Sequence, residues 1–204
     1  MARSTADPST KLRAGTPTRD RILTAAMEVF ATKGYHGTVV DDIVATSGTS
    51  KGAFYHYFPS KQRIFLTLMD ELAGLVEQGV EEAIASEQGA LAKVEAALRV
   101  VLQTAATQRD LARILLIEAV GLGPTAEQKR LEIHRRFATL IQRHLDRAMV
   151  EGSIPSQDTS VAAHAWIGAL NEIVAQWLIN GGEPLSSKLP SLRALLLRSI
   201  GARG

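Results

Sequence analysis

Seven consecutive residues, Lys51-Gly52-Ala53-Phe54-Tyr55-His56-Tyr57, place a cation, two side chains without hydrogen-bonding groups and a set of polar rings within two helical turns. That combination suits a polyanion whose edges are to be read at close range. Lys51 can donate to guanine O6 or N7, a contact that discriminates between bases by about 1–3 kcal/mol when well aligned. Its plainer roles are a phosphate contact or simple solvation. Gly52 and Ala53 permit close approach, with the Ala53 methyl available to a thymine methyl. His56 could meet a base or a phosphate, whereas Phe54 and Phe58 read as core.

A second chemistry sits later in the chain. Glu118 is embedded in the apolar run RILLIEAV, and Asn171 lies between Trp166 and Trp177. Ligand cavities are mostly apolar with a few placed polar groups, and Glu118, Trp166, Asn171 and Trp177 answer that description. The alternative for the tryptophans is ordinary core or interface packing, and His164 reads as an interface histidine. His134 and His144, ten positions apart on one helix, do not share a face at metal-ligand spacing, so no metal site is expected. The chain holds no nucleophile elbow, no phosphate-cradling glycine loop and no HExxH; neither an enzyme nor a cofactor is expected.

The elements that must position these residues are helical. Ala and Leu are abundant, aromatics make up 5% of the chain, and no strand-like alternation of useful length occurs. Cysteine is absent, which excludes a disulfide scaffold and thiol-ligated zinc. No signal-peptide core or membrane-length apolar run is present, so a soluble, cytoplasmic protein without a membrane partner is expected. Residues 1–63 carry nine Lys/Arg against five Asp/Glu; with +2 overall, the remainder carries −2. A basic head on a slightly acidic body fits a polyanion partner for the head.

Residues 1–16 lack periodicity and read as a disordered tail, in which Arg3, Lys11 and Arg13 could reach along DNA or simply be solvated. A first helix opens near Pro17 and stops at Gly34. Thr38 is expected to cap a second helix ending at Ser47-Gly48, and Ser50 to cap a third ending at Pro59. Two short helices joined by a glycine-containing turn make a helix-turn-helix, whose second helix enters the major groove. A long helix over 60–86 follows, then helices near 89–107, 109–121 and 125–151. Asp158 caps a helix to Asn180, and a last one starts at Ser187 or Pro190 and ends near Ile200. This is an all-α chain of about nine helices: a helix-turn-helix domain over 17–63 and a helical ligand-binding and dimerisation domain over 64–204.

Over Arg21 to Leu68 the chain resembles the TetR (tetracycline repressor) family of transcription regulators. The match runs through Arg21-Ile22-Leu23, Phe30, Gly34-Tyr35, Thr38, Asp42-Ile43, Ser47-Gly48, Ser50-Lys51-Gly52, Phe54-Tyr55, Tyr57-Phe58 and Lys61. The resemblance implies an N-terminal three-helix DNA-binding domain, a helical regulatory domain and a homodimer held by the last two helices. It implies a phosphate clamp of Tyr55, Tyr57 and Lys61, so that the expected DNA-contacting set is Thr38, Ser50, Lys51, Gly52, Ala53, Tyr55, His56, Tyr57 and Lys61. Val39 and Asp41 depart from the family pattern, removing phosphate contacts from the second helix and adding a carboxylate there. Small residues Ala162, Ala163, Ala165, Gly168 and Ala169, with Leu192, Leu195, Leu196 and Ile200, suit a four-helix dimer interface. The stretch AHAWIGALNEIVAQWL is similar to members that sense fatty acyl compounds.

The expected function is therefore a ligand-responsive, sequence-specific DNA-binding regulator. It would be a repressor released from a palindromic double-stranded operator by a small hydrophobic molecule. The alternative is an architectural or partner-regulated DNA-binding protein without a small-molecule switch.

Overall fold

Pro17 starts the first helix, and a computed structural model of the chain describes residues 17–202; the tail expected over 1–16 lies outside them. Among the described residues there are nine α-helices and no strand, the all-α architecture expected. Two compact units divide between Glu71 and Leu72, within the fourth helix.

The first unit contains α1 (Pro17–Gly37), α2 (Val40–Ser47), α3 (Lys51–Tyr57) and the first turns of α4 (Lys61–Ala85). Its core is the apolar set at helical spacing on α1 (Ile22, Leu23, Ala26, Phe30) packed with Ile43, Phe54, Ile64, Phe65 and Leu68, all at most 1% exposed. Each large side chain so buried stabilises the fold by about 1.5–3 kcal/mol. The rings of Phe30 and Phe65 meet edge to face at 5.3 Å. Gly34, at φ 69 and ψ 169, breaks the helical path of α1 where a stop was expected.

The cap of α2 differs from expectation. Thr38 is fully buried, and its hydroxyl donates to Gly34 O at 2.7 Å, so it closes α1 rather than opening α2. Val39 takes the capping position instead. Valine has no acceptor, and Asp42 supplies one: Val39 N donates to the Asp42 carboxylate at 3.0 Å. At α3 the expectation holds, with Ser50 Oγ accepting from Ala53 N at 3.0 Å.

The second unit comprises the rest of α4, α5 (Ala90–Thr107), α6 (Arg109–Arg113), a π turn (Ile114–Glu118), α7 (Pro124–Val150), α8 (Thr159–Asn180), a 3-10 turn (Leu185–Lys188) and α9 (Leu189–Ser199). Pro124 opens α7, and Asp158 caps α8 by accepting from Ser160 N and Val161 N. The helix expected over 109–121 is interrupted: Ala119 N donates to Ile114 O at 2.9 Å, an i→i+5 bond that widens the turn.

α7 and α8 pack through Ala138, Ala163 and Ile167, with Phe137 and Ile141 alongside. Charged pairs tie α4 to α7, Arg136 to Glu77 at 2.5 Å and Arg143 to Glu81. α4 meets α5 closely at Gly79, where a Cβ would stand 2.9 Å from Val100 Cγ1. Among the described residues no helix is long and apolar enough to cross a membrane.

Candidate functional site

α3 is held in place from behind, leaving one face open. Phe54 and Phe58 anchor it in the core at 0% and 2% exposure. Ser50, Lys51, Gly52, Tyr55 and His56 are exposed, with Ala53 and Tyr57 partly so. The turn before α3 is fixed by Gly48, at φ 60 and ψ 32, and by Arg21, whose guanidinium donates to Ser47 O at 2.7 Å and Gly48 O at 3.1 Å. Arg21 closes the C-terminal end of α2, leaving its charge beside the turn into α3. The sequence assigns Arg21 no such partner, because a contact across 26 positions carries no local signal.

The expected DNA-contacting set is rearranged at Lys51, Lys61 and Thr38. Lys51 Nζ lies 2.7 Å from Asp41 Oδ1, both side chains being well exposed. The hydrogen bond to Asp41, and then its charge, hold the Lys51 ammonium above its ordinary pKa. Lys61 does not reach outward: its Nζ donates to Tyr35 O and Thr38 O, each at 2.7 Å, and lies over the Tyr35 ring at 4.3 Å from the centroid. Partial burial pushes its pKa down. With two of its three donors committed, Lys61 ties the turn between α1 and α2 to the start of α4. Thr38, inside the core, presents no side chain to a partner.

Lys33, which also went unassigned, donates to Asp42 Oδ1 at 2.7 Å. That bond, together with the bond from Val39 N, holds the Asp42 carboxyl below its ordinary range. The N-terminal end of α2 is thus a small closed network rather than a phosphate-seeking patch.

A cavity of about 410 Å3 lies within the second unit, walled by α4, α5, the α6–π segment, α7 and α8. That size falls within the ordinary range for small-molecule sites. Of the four residues expected to line it, Trp166 and Asn171 do. Trp166 Nε1 donates to Ser199 Oγ at 3.0 Å, and Asn171 Nδ2 lies 3.0 Å from His134 Nε2. Glu118 and Trp177 are not in the wall. The i→i+5 bond sets the register in which Leu115 and Leu116 face the cavity, while Glu118 lies 3.6 Å from Arg113. Trp177 is covered by the Arg109 guanidinium, 4.4 Å from its ring centroid, and Arg109 also donates to Leu178 O.

Lys93 and His144 do line the cavity and were not foreseen as such. They come from α5 and α7, and only the tertiary packing brings them to one wall. Among the described residues no group of three or more His, Cys, Asp or Glu is placed to hold a metal ion.

The expected dimer surface is also partly interior. Leu192, Leu196 and Ile200 are each 3% exposed within the single chain, and Ala163 is fully buried. α9 packs against α5, which takes up that leucine row. What faces outward is Leu195 on α9, with Val161, Ala165, Gly168 and Ile179 along one stripe of α8.

Comparison with known proteins adds a family frame. The model for bacterial regulatory proteins of the tetR family matches residues 22–68, and that for the tetracyclin repressor-like C-terminal domain matches residues 87–189. A fatty acid metabolism regulator protein of Bacillus subtilis is 27% identical over 161 residues, covering 78% of this chain and 83% of that protein. The solved FadR of Bacillus subtilis in complex with stearoyl-CoA is 26% identical, with TM-score 0.81 over 88% of this chain and 98% of that one. The fatty acid degradation regulator FadR of Bacillus halodurans shares the fold, with TM-score 0.85 over 94% and 100% of the two chains at 22% identity.

Proposed function

The chain belongs to the TetR family, which makes it a DNA-binding transcription regulator and not an enzyme, and we propose that it is a homodimeric repressor released from its operator by a small hydrophobic ligand. The observation that carries this reading is the apolar cavity of the second unit, part of whose wall is α4. The same helix begins at Lys61, which is bonded to the turn preceding the DNA-reading helices. A ligand that favours one position of α4 over another by about 1–3 kcal/mol shifts operator occupancy severalfold or more.

The likeness to a FadR solved with stearoyl-CoA supports a fatty acyl compound as the ligand class. DNA contacts are assigned to Ser50, Lys51, Gly52, Ala53, Tyr55, His56 and Tyr57, with tyrosine contacts to phosphate fixing register and Lys51 reading a base. The outward stripe of α8 with Leu195 of α9 supplies the face on which two copies meet. A dimer of such heads, acting in the cytoplasm, takes a palindrome with half-sites about 34 Å or a multiple apart.

Operator titration in a gel-shift assay, with and without palmitoyl-CoA, palmitate and hexadecanol, tests the reading. Release by a ligand that calorimetry shows to bind supports it. Operator affinity indifferent to every ligand so bound overturns the switch and favours a regulator without one.

A further inference from the structure

We propose that the cavity of the second unit takes its ligand tail-first and holds an anionic head group between Lys93 of α5 and His144 of α7. This rests on the ligand reading of that cavity and adds the chemistry of the head.

The wall is lopsided. Its charged and titratable residues Lys93, His144, Arg147 and Glu151, together with Gln88, come from the entry into α5 and the last turns of α7, whereas the polar residue Asn171 of α8 is taken up by His134 at 3.0 Å. The pairs Glu77–Arg136 and Glu81–Arg143 show that α4 and α7 run in the same direction. The C-terminal ends of both helices and the start of α5 therefore gather at one end of the cavity. Toward the other end the wall is Ala73, Ala105, Ala112, Leu115 and Val174, with no charged side chain.

Two groups at the polar end are uncommitted. His144 Nε2 is buried and has no hydrogen-bond partner, a state that native interiors ordinarily avoid. Of the two cavity-lining cations, Arg147 pairs with Glu151 at 2.9 Å. Lys93, which is half-buried, has no carboxylate within ion-pair distance among the described residues. Burial first, and then the Arg143, Lys93 and Arg147 charges, hold the imidazole below its ordinary pKa, with Glu81 opposing. His144 is accordingly neutral near pH 7, and in the tautomer protonated at Nε2 it donates one hydrogen bond without adding charge. A half-buried ammonium beside a buried N–H is a receptor for a carboxylate or phosphate oxygen. An apolar tail fills the remainder.

Calorimetric titration of the full chain with palmitate, palmitoyl-CoA and hexadecanol tests this directly. The anionic probes are expected to bind more tightly than the alcohol by about tenfold or more, the scale of a charge-assisted hydrogen bond. Lys93→Ala and His144→Leu are expected to remove that advantage, Lys93→Arg to keep it, and all three variants to bind hexadecanol as the parent does, which also shows that they fold. A larger loss for palmitate assigns the site to a carboxylate, and a larger loss for palmitoyl-CoA to phosphate; either outcome supports the proposal. Hexadecanol binding as tightly as palmitate and palmitoyl-CoA, or variants that weaken all three probes alike, overturns the head site while leaving the cavity a ligand site. Binding of none of the three overturns both.

Discussion

Asp41 and Lys51 form an ion pair at 2.7 Å between the first turn of α2 and the first residue of α3. The cation proposed to read a base is thus already partnered in the protein alone. Because both side chains are well exposed, the pair contributes little to stability, and its consequence lies in binding. Asp41→Asn frees Lys51 and removes a carboxylate from beside the residues proposed to contact DNA. DNA affinity is expected to rise, and the slope of log affinity against log salt to steepen by about one. Anisotropy titrations on operator and scrambled DNA at several salt concentrations measure both; an unchanged slope would mean that the pair does not compete with DNA.

Gly52 has no internal reason to be glycine. It is absent from the positive-φ glycines, and a Cβ there would meet only Ser50 Oγ at 3.8 Å. Gly52→Ala is therefore expected to raise stability by about 0.5–1 kcal/mol, as helix propensity dictates, while weakening operator binding. Chemical denaturation and DNA titration of one variant separate the two effects. Unimpaired binding would show that the DNA surface does not approach this residue.

Lys61 separates phosphate contact from architecture. Loss of its two carbonyl bonds through Lys61→Ala is expected to destabilise the first unit by about 1–3 kcal/mol, with the salt slope of the folded protein unchanged. A drop of one in the slope without loss of stability would restore Lys61 to the phosphate-contacting set.

The outward face of α8 and α9 predicts a clean separation between association and folding. Leu195 is 51% exposed and Val161 65%, whereas Leu192 is 3% exposed. Leu195→Glu with Val161→Glu is expected to give a monomer with undiminished helical circular dichroism. Leu192→Glu is expected to lose helix as well, since it buries a charge. Light scattering on each variant checks this; a dimer surviving the double substitution would place the interface elsewhere.

Acid is expected to loosen the second unit through His134. Burial first, then the Arg130 charge, holds its pKa below the ordinary 6.5. Asn171 Nδ2, 3.0 Å from its Nε2, donates to it only while the ring is neutral. Below pH 6.5 the unfolded chain takes up a proton that the folded chain resists, so stability is full above that value and declines as pH falls toward the depressed folded pKa. Thermal melts from about pH 8 to pH 5 should show the decline, and His134→Gln should make it shallower, leaving the share of His144, whose pKa burial lowers likewise.

Local chemistry was legible in the sequence; convergence was not. Ser50 and Asp158 cap their helices, Pro124 opens α7 and Gly34 breaks α1, because each acts on neighbours within a few positions. Thr38 and Val39 misled because a hydroxyl one residue early looks like a cap, whereas Asp42 supplied the acceptor. Trp166 and Asn171 reached the cavity, but Glu118 and Trp177 did not: a single i→i+5 bond and a covering arginine decided those cases. Lys93 and His144 share a wall only through the packing of α5 and α7. Leu192, Leu196 and Ile200 look like interface in the sequence because periodicity shows that a face is apolar, not what covers it.

The close approach of Gly79 to Val100 gives α4 a fulcrum. With only the Val100 side chain between the two backbones, α4 has little room to slide along α5 at this point and can more readily pivot on it. From Gly79 the helix runs back through Leu72 and Ala73, both in the cavity wall, so a pivot at this point moves that wall as well. In the proposed switch, Gly79→Ala would hinder that pivot without adding a side chain to the cavity wall itself.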